Sequence, residues 1–210
     1  MKEYKTVAGY SSCEMIEKRS RFIGYIKPVK SSAEAVAFID EIRARHRDAT
    51  HNVYAYLIRE EGIERHSDDN EPQGTAGIPV LDVIKRRSLT DCVIVVTRYF
   101  GGVLIGAGGL VRAYSTSASL AVDAAGEMMM IPCSVCSLTC PYVYYGKIPA
   151  LFSKYSGEID ESSFADEISV SFHIPVENLS SFNEALSELS GGKCRATEIE
   201  KEYFGNIIKK

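Results

Sequence analysis

Residues 92–125 read CVIVVTRYFGGVLIGAGGLVRAYSTSASLAVDAA, and the order of textures in that stretch decides the fold. Cys92-Val93-Ile94-Val95-Val96 is an unbroken apolar, β-branched run, which predicts a strand buried on both faces. Residues 110–125, rich in Ala, Leu and Val, predict a helix. Between them, residues 97–114 carry five glycines and two arginines. Glycine accepts positive φ and lets a backbone approach another group closely, so the junction is expected to bend sharply. Backbone N–H groups at such a bend, together with the partial positive charge of a helix N-terminus, favour an anion, with phosphate the natural guest.

Working outward, residues 4–10, 13–18 and 22–29 have strand texture. Ser31-Ser32-Ala33-Glu34 has capping-box spacing and predicts a helix to about residue 45, with Ala35, Phe38, Ile39 and Ile42 on one face. Residues 52–59 alternate as a strand and return at 63–66. The polar loop SDDNEPQGTAG (67–77) follows, and then a short helix over 78–87 opened by Pro79. The region 1–130 is thus expected to be one α+β domain. After Gly126 the pattern restarts: a strand over 128–140, a helix over 143–155 that runs through Pro149, strands over 158–164 and 168–174, a helix opened by Pro175 and ended by Gly191-Gly192, and a strand over 194–204. The order β-α-β-β-α-β over 131–210 is the ferredoxin-like arrangement.

The 45% hydrophobic and 25% charged residues are those of an ordinary soluble globular chain. No apolar run is long enough to span a bilayer, and the N-terminal residues show no apolar signal region, so the expected location is the cytoplasm and no membrane partner is expected. The net charge of −4 is unevenly spread: residues 1–132 hold 17 Lys plus Arg against 17 Asp plus Glu, and residues 133–210 hold 7 against 11. Neither part has the field of an ordinary basic nucleic-acid-binding domain, so any RNA contact must be local.

Three groups stand out as chemistry. Arg98 and Arg112 flank the glycine loop and suit bidentate recognition of an anion, with Gly101, Gly102, Gly106, Gly108 and Gly109 supplying the cage; a structural turn with Arg98 paired to an acidic neighbour is the alternative. The loop matches neither the Rossmann nor the Walker A spacing. Asp68, Asp69 and Glu71 suggest either a divalent cation or local turns and a salt bridge from Asp69 or Glu71 to Arg98 or Arg112. The loop lacks EF-hand spacing, and the salt bridge is the simpler expectation. His51, at a strand entry, suits a general base or a structural hydrogen bond, and Arg21 adds an exposed cation beside Phe22. Cys133, Cys136 and Cys140 invite a metal, but a fourth ligand is missing nearby, and small buried thiols are expected instead. No metal or cofactor is expected.

The motifs SRFIG (20–24), ATHN (49–52), SDDNEPQGTAG (67–77) and TRYFGGVLIGAGGLVRAY (97–114), in that order, resemble the YigZ/IMPACT family. The resemblance implies an N-terminal domain with the fold of elongation factor G domain IV, of the left-handed βαβ type, and a C-terminal domain resembling domain V of the same factor. It implies a functional surface containing His51, Asp69, Glu71, Gly74, Thr75, Arg98, Arg112 and the loop glycines. Tyr99 or Phe100, beside that loop, is expected to offer a stacking face. Two positions depart from the family: Asn70 stands where Gly is usual, and Leu104 where many relatives place Lys. The eukaryotic relative IMPACT regulates translation, so the expected function is a non-enzymatic, translation-associated protein that binds RNA or the ribosome. An enzyme acting on a small phosphorylated ligand in the same pocket, with His51, Asp69 or Glu71 as acid, base or ligand, is one alternative; a protein–protein regulator is another.

Overall fold

The computed structural model describes residues 1–208, which divide into two compact units. One comprises Tyr4–Met129 and the terminal stretch from Asn206; the other comprises Met130–Gly205 and Met1–Glu3.

In the N-terminal unit, β1 (Tyr4–Val7), β2 (Ser11–Glu17), β3 (Ser20–Pro28), α1 (Ser32–Arg45), β4 (His51–Ile58), β5 (Ile63–Ser67), α2 (Gly77–Arg86), β6 (Cys92–Tyr99) and α3 (Ala107–Ala125) follow in order. Five strands form an antiparallel sheet in the order β2-β3-β6-β4-β5. Because β6 is central, both of its faces are covered, and this explains its unbroken apolar run. Ile94 and Val96 pack with Phe22, Ile26 and Val53 against α2 and α3. Val93 and Val95 pack with Ile23, Tyr25 and Tyr56 against Phe38, Ile39 and Ile42 of α1. Each such side chain, fully buried, contributes about 1.5–3 kcal/mol, so the sheet is held from both sides.

The helix starts show what sequence periodicity missed. α1 begins as expected: Ser31 Oγ accepts from the Glu34 N–H at 3.2 Å, and Glu34 reaches back to the Lys30 N–H at 2.9 Å. α2 begins at Gly77, not at Pro79, because its cap comes from a distant residue. The Asp68 carboxylate accepts from the N–H groups of Gly77 (2.8 Å), Ala76 (3.1 Å) and Gly74 (2.8 Å). α3 begins at Ala107, three residues before the expected start, so Gly106 is its N-cap and Gly108 and Gly109 lie in its first turn.

In the C-terminal unit, β7 (Glu127–Cys140), α4 (Tyr142–Tyr145), α5 (Ile148–Lys154), β8 (Glu158–Phe164), β9 (Ile168–Pro175), a short 3-10 turn (Val176–Asn178), α6 (Leu179–Ser190) and β10 (Thr197–Ile207) give the expected β-α-β-β-α-β order. The strands line up β10-β7-β9-β8, the ferredoxin-like arrangement. The helix expected over 143–155 is broken instead. Proline has no N–H and its ring meets the carbonyl four residues back, so Pro149 is tolerated only in the first turn of a new helix, α5. Pro175 likewise opens the 3-10 turn, and α6 follows it. Cys136, Cys140 and Cys194 lie in the unit's apolar core with Phe172 and Phe182. All six cysteines are free, and burial pushes the Cys133 and Cys136 thiols up to about 11. The five buried ones, Cys92, Cys133, Cys136, Cys140 and Cys194, serve as small core residues. Among the described residues no helix is long and apolar enough to cross a membrane, and no cluster of His, Cys, Asp or Glu is arranged to hold a metal ion.

Candidate functional site

β4 and β6 run side by side with His51 opposite Arg98, which brings the ATHN and TRYFGG segments together at one end of the sheet. The acidic loop 67–77 crosses the same end, and the first turn of α3 closes the other side. The result is a cleft of about 400 Å³ lined by Thr50, His51, Glu71, Pro72, Arg98, Phe100, Leu104, Ile105, Gly106, Ala107 and Leu110.

Its floor is a buried polar network. Arg98 Nη1 lies 2.5 Å from Glu71 Oε1, with side-chain exposures of 6% and 3%. The Tyr114 hydroxyl donates to the same oxygen at 2.7 Å, and Arg98 Nη2 donates to Ser20 Oγ at 3.3 Å. Arg98 Nε is buried without a hydrogen-bond partner. Burial, reinforced by the bond to Glu71, pushes the Tyr114 hydroxyl far above its ordinary range, so it remains a donor. His51 Nδ1 lies 2.7 Å from the backbone oxygen of Asp69. A carbonyl only accepts, so Nδ1 carries the proton; in the neutral ring Nε2 is then an acceptor, 3.7 Å from Glu71 Oε1.

The residues singled out from sequence do not all meet here. Of the four salt bridges weighed, Glu71–Arg98 forms; Asp69 instead accepts from the Asn52 N–H at 2.6 Å and lies 3.5 Å from Arg43. Arg98 is therefore an internal ion-pair partner and not an exposed anion clamp. Its planar fork is spent on Glu71 and Ser20. Arg112 is exposed and lies about 200° around α3 from Leu110. It lines a separate groove of about 440 Å³ with Gly74, Asp82 and Arg86. The two arginines thus do not grip one ligand. Tyr99 and Arg21 are register partners, with the guanidinium 5.7 Å from the ring centroid. Tyr99 packs on the α1 side, where its hydroxyl meets His46 Nδ1 at 2.8 Å, while Arg21 pairs with Glu14 at 2.7 Å. Among the described residues that line the cleft, Phe100 is the aromatic one. Thr75 is buried, its hydroxyl donating to the Pro72 carbonyl at 2.6 Å.

The glycines divide by role. A Cβ on Gly101 would stand 2.0 Å from the Arg19 carbonyl oxygen, so that glycine permits a backbone-to-backbone contact. Gly102 and Gly106 have φ of +80°, which side chains resist. Gly108 has open space around it. Asn70 has φ of +68°, so Asn takes a left-handed position here.

Sequence reasoning missed the neighbours of the loop. Lys18 and Arg19, both exposed, form a two-residue hairpin turn with positive φ at each, and Lys18 Nζ reaches the Ile105 carbonyl at 3.5 Å. Two adjacent non-glycine residues at positive φ were not legible from composition. Tyr114 was hidden for a simpler reason: it sits on the apolar face of α3, where a core tyrosine looks the same.

This architecture, a two-domain α+β protein with a glycine-rich cleft at one end of its first sheet, has close relatives. The Impact N-terminal domain matches residues 18–122, and a domain of unknown function, DUF1949, matches residues 138–193. The IMPACT family member YvyE of Bacillus subtilis is 35% identical over 98% of this chain and 95% of its own length. The IMPACT family member YigZ of Escherichia coli is 31% identical over 88% and 92%. A crystal structure described as that of a hypothetical protein superposes with a TM-score of 0.61 at 30% identity, covering 96% of this chain and all of the other. The chain belongs to the IMPACT family.

Proposed function

We propose that this chain is a translation-associated binding protein whose N-terminal unit contacts RNA or the ribosome through the surface around the start of α3. The observation that carries the reading is the uncapped N-terminus of α3 next to the exposed hairpin cations Lys18 and Arg19. Gly106 supplies no side-chain cap, so the first N–H groups of the helix are left for an external acceptor. Arg112, exposed on the same helix, adds a further positive charge. Membership of a family whose eukaryotic members regulate translation supports the same context. The acidic balance of residues 133–210 leaves the second unit a poor surface for phosphate.

Co-sedimentation with bacterial ribosomes across a salt series tests the proposal, with nuclease-treated controls and the Arg19→Ala and Arg112→Ala variants. Binding that weakens as salt rises, with each substitution lowering the salt slope by about 1, is the expected result. Association that ignores salt, or none at low salt, would overturn it.

A further inference from the structure

The walls and floor of the cleft are built for more than a phosphate. Because Glu71 offsets the charge of Arg98, the floor presents no net cation to a bare anion. The lining is mostly apolar, with Leu104 84% and Phe100 46% exposed. The Phe100 ring lies 5.5 Å from the guanidinium of Arg98, a side chain itself almost wholly buried, so the ring rests on a fixed support. At the floor, His51 Nε2 has no hydrogen-bond donor among the described residues. An exposed aromatic ring, an exposed aliphatic side chain and, in the neutral His51 ring, an acceptor at Nε2 line one cleft, a set that suits a planar group carrying an N–H on its edge.

We propose that the cleft takes a single unpaired nucleobase of an RNA strand. The base stacks on Phe100, an N–H of its edge donates to His51 Nε2, and its adjoining phosphate meets the N-terminus of α3. This inference rests on the RNA reading above and narrows it to single-stranded segments, because a paired base has its edge already occupied and its faces stacked. An inorganic anion would leave the apolar walls unused and would face the Glu71 carboxylate.

Fluorescence anisotropy with a short, labelled, unstructured ribo-oligonucleotide, its perfect duplex and adenosine monophosphate as competitor separates the possibilities. The single strand should bind at least tenfold more tightly than the duplex, and Phe100→Ala should cost about tenfold, the usual effect of removing one base-stacking ring. Leu104→Ala, at a site too exposed to disturb folding, should weaken binding in the same direction. A 2-aminopurine placed in the strand should brighten on binding to the unaltered protein and not to Phe100→Ala. Equal affinity for strand and duplex, with both variants unaffected, would overturn base capture and leave the electrostatic reading standing. Absence of RNA binding at any salt would overturn both. Competition by the mononucleotide at the same concentration as the strand would overturn base capture from RNA in favour of a small-molecule site.

Discussion

Glu71 and Arg98, 27 positions apart in the chain, form an ion pair sealed from solvent, with the Tyr114 hydroxyl on the same carboxylate oxygen. Taking two charges out of water is costly, and only full mutual compensation makes it tolerable. Removing one partner strands the other. Arg98→Met and Glu71→Gln should each destabilise the protein by about 3–5 kcal/mol in urea unfolding, whereas Arg98→Met with Glu71→Leu should recover much of the loss. A cost below about 1 kcal/mol for either single variant would mean the pair is solvated like a surface bridge.

The five loop glycines should not respond alike. Gly101→Ala drives a methyl group into the Arg19 backbone and should cost about 1–3 kcal/mol or more. Gly108→Ala enters open space in the first turn of α3 and should raise stability by up to about 1 kcal/mol. Thermal midpoints of the two variants check both signs. Equal effects would mean that backbone packing is not what separates these positions.

Asp68 gives the fold an acid-sensitive latch. Burial pushes its carboxyl upward, but the N–H groups of Gly74, Gly77 and Ala76 outweigh that and hold it below the ordinary carboxylate range. A carboxyl depressed in the folded state contributes stability that is complete above its unfolded pKa, near 3.8, and is lost as pH falls through the folded value. Asp68→Asn should therefore destabilise the protein at pH 7 by about 1.5–3 kcal/mol, as expected for lost hydrogen bonds to a charged group. The same variant should flatten the fall in stability below pH 4. An unchanged acid limb would assign that limb to other carboxylates.

On the opposite face of the sheet, His46 is held between Tyr25 (2.6 Å) and Tyr99 (2.8 Å). Burial first, then the nearby Arg45 and Arg21 charges, lowers its pKa from the ordinary 6.5. The neutral ring is the folded form, so its contribution is present above pH 6.5 and declines as pH drops through the lowered value. Titration by NMR should find the His46 midpoint below 6.5, and Arg45→Ala should move it upward. A midpoint at or above 6.5 would contradict the packing around the ring.

Elements whose signals are local were legible in the sequence. The β6 run, the Ser31 cap and the succession of C-terminal elements along the chain came from patterns confined to a few neighbouring residues. Pairings across distance were not. Asp68 caps a helix nine residues ahead, and nothing in the periodicity of α2 announces it. Glu71–Arg98 was one of four possible bridges, and only the β4–β6 register brings His51 and Arg98 side by side beneath the loop. The two arginines looked equivalent because spacing assigns residues to faces within one strand or helix but does not say how the faces of two separate elements meet. One side buries Arg98; the other leaves Arg112 in water.

The loop 67–77 is one short connection with three dependants. It starts α2 through Asp68, fixes the proton on His51 through the Asp69 carbonyl, and neutralises Arg98 through Glu71. Opening it would loosen all three at once, so the amides of Gly74, Ala76 and Gly77 belong to one cooperative unit with the floor of the cleft. Stability and the chemistry of the cleft floor are drawn from the same few atoms. A substitution at this floor must shift the folding equilibrium with it, whereas the exposed rim at Phe100 and Leu104 can change its chemistry and leave the fold in place.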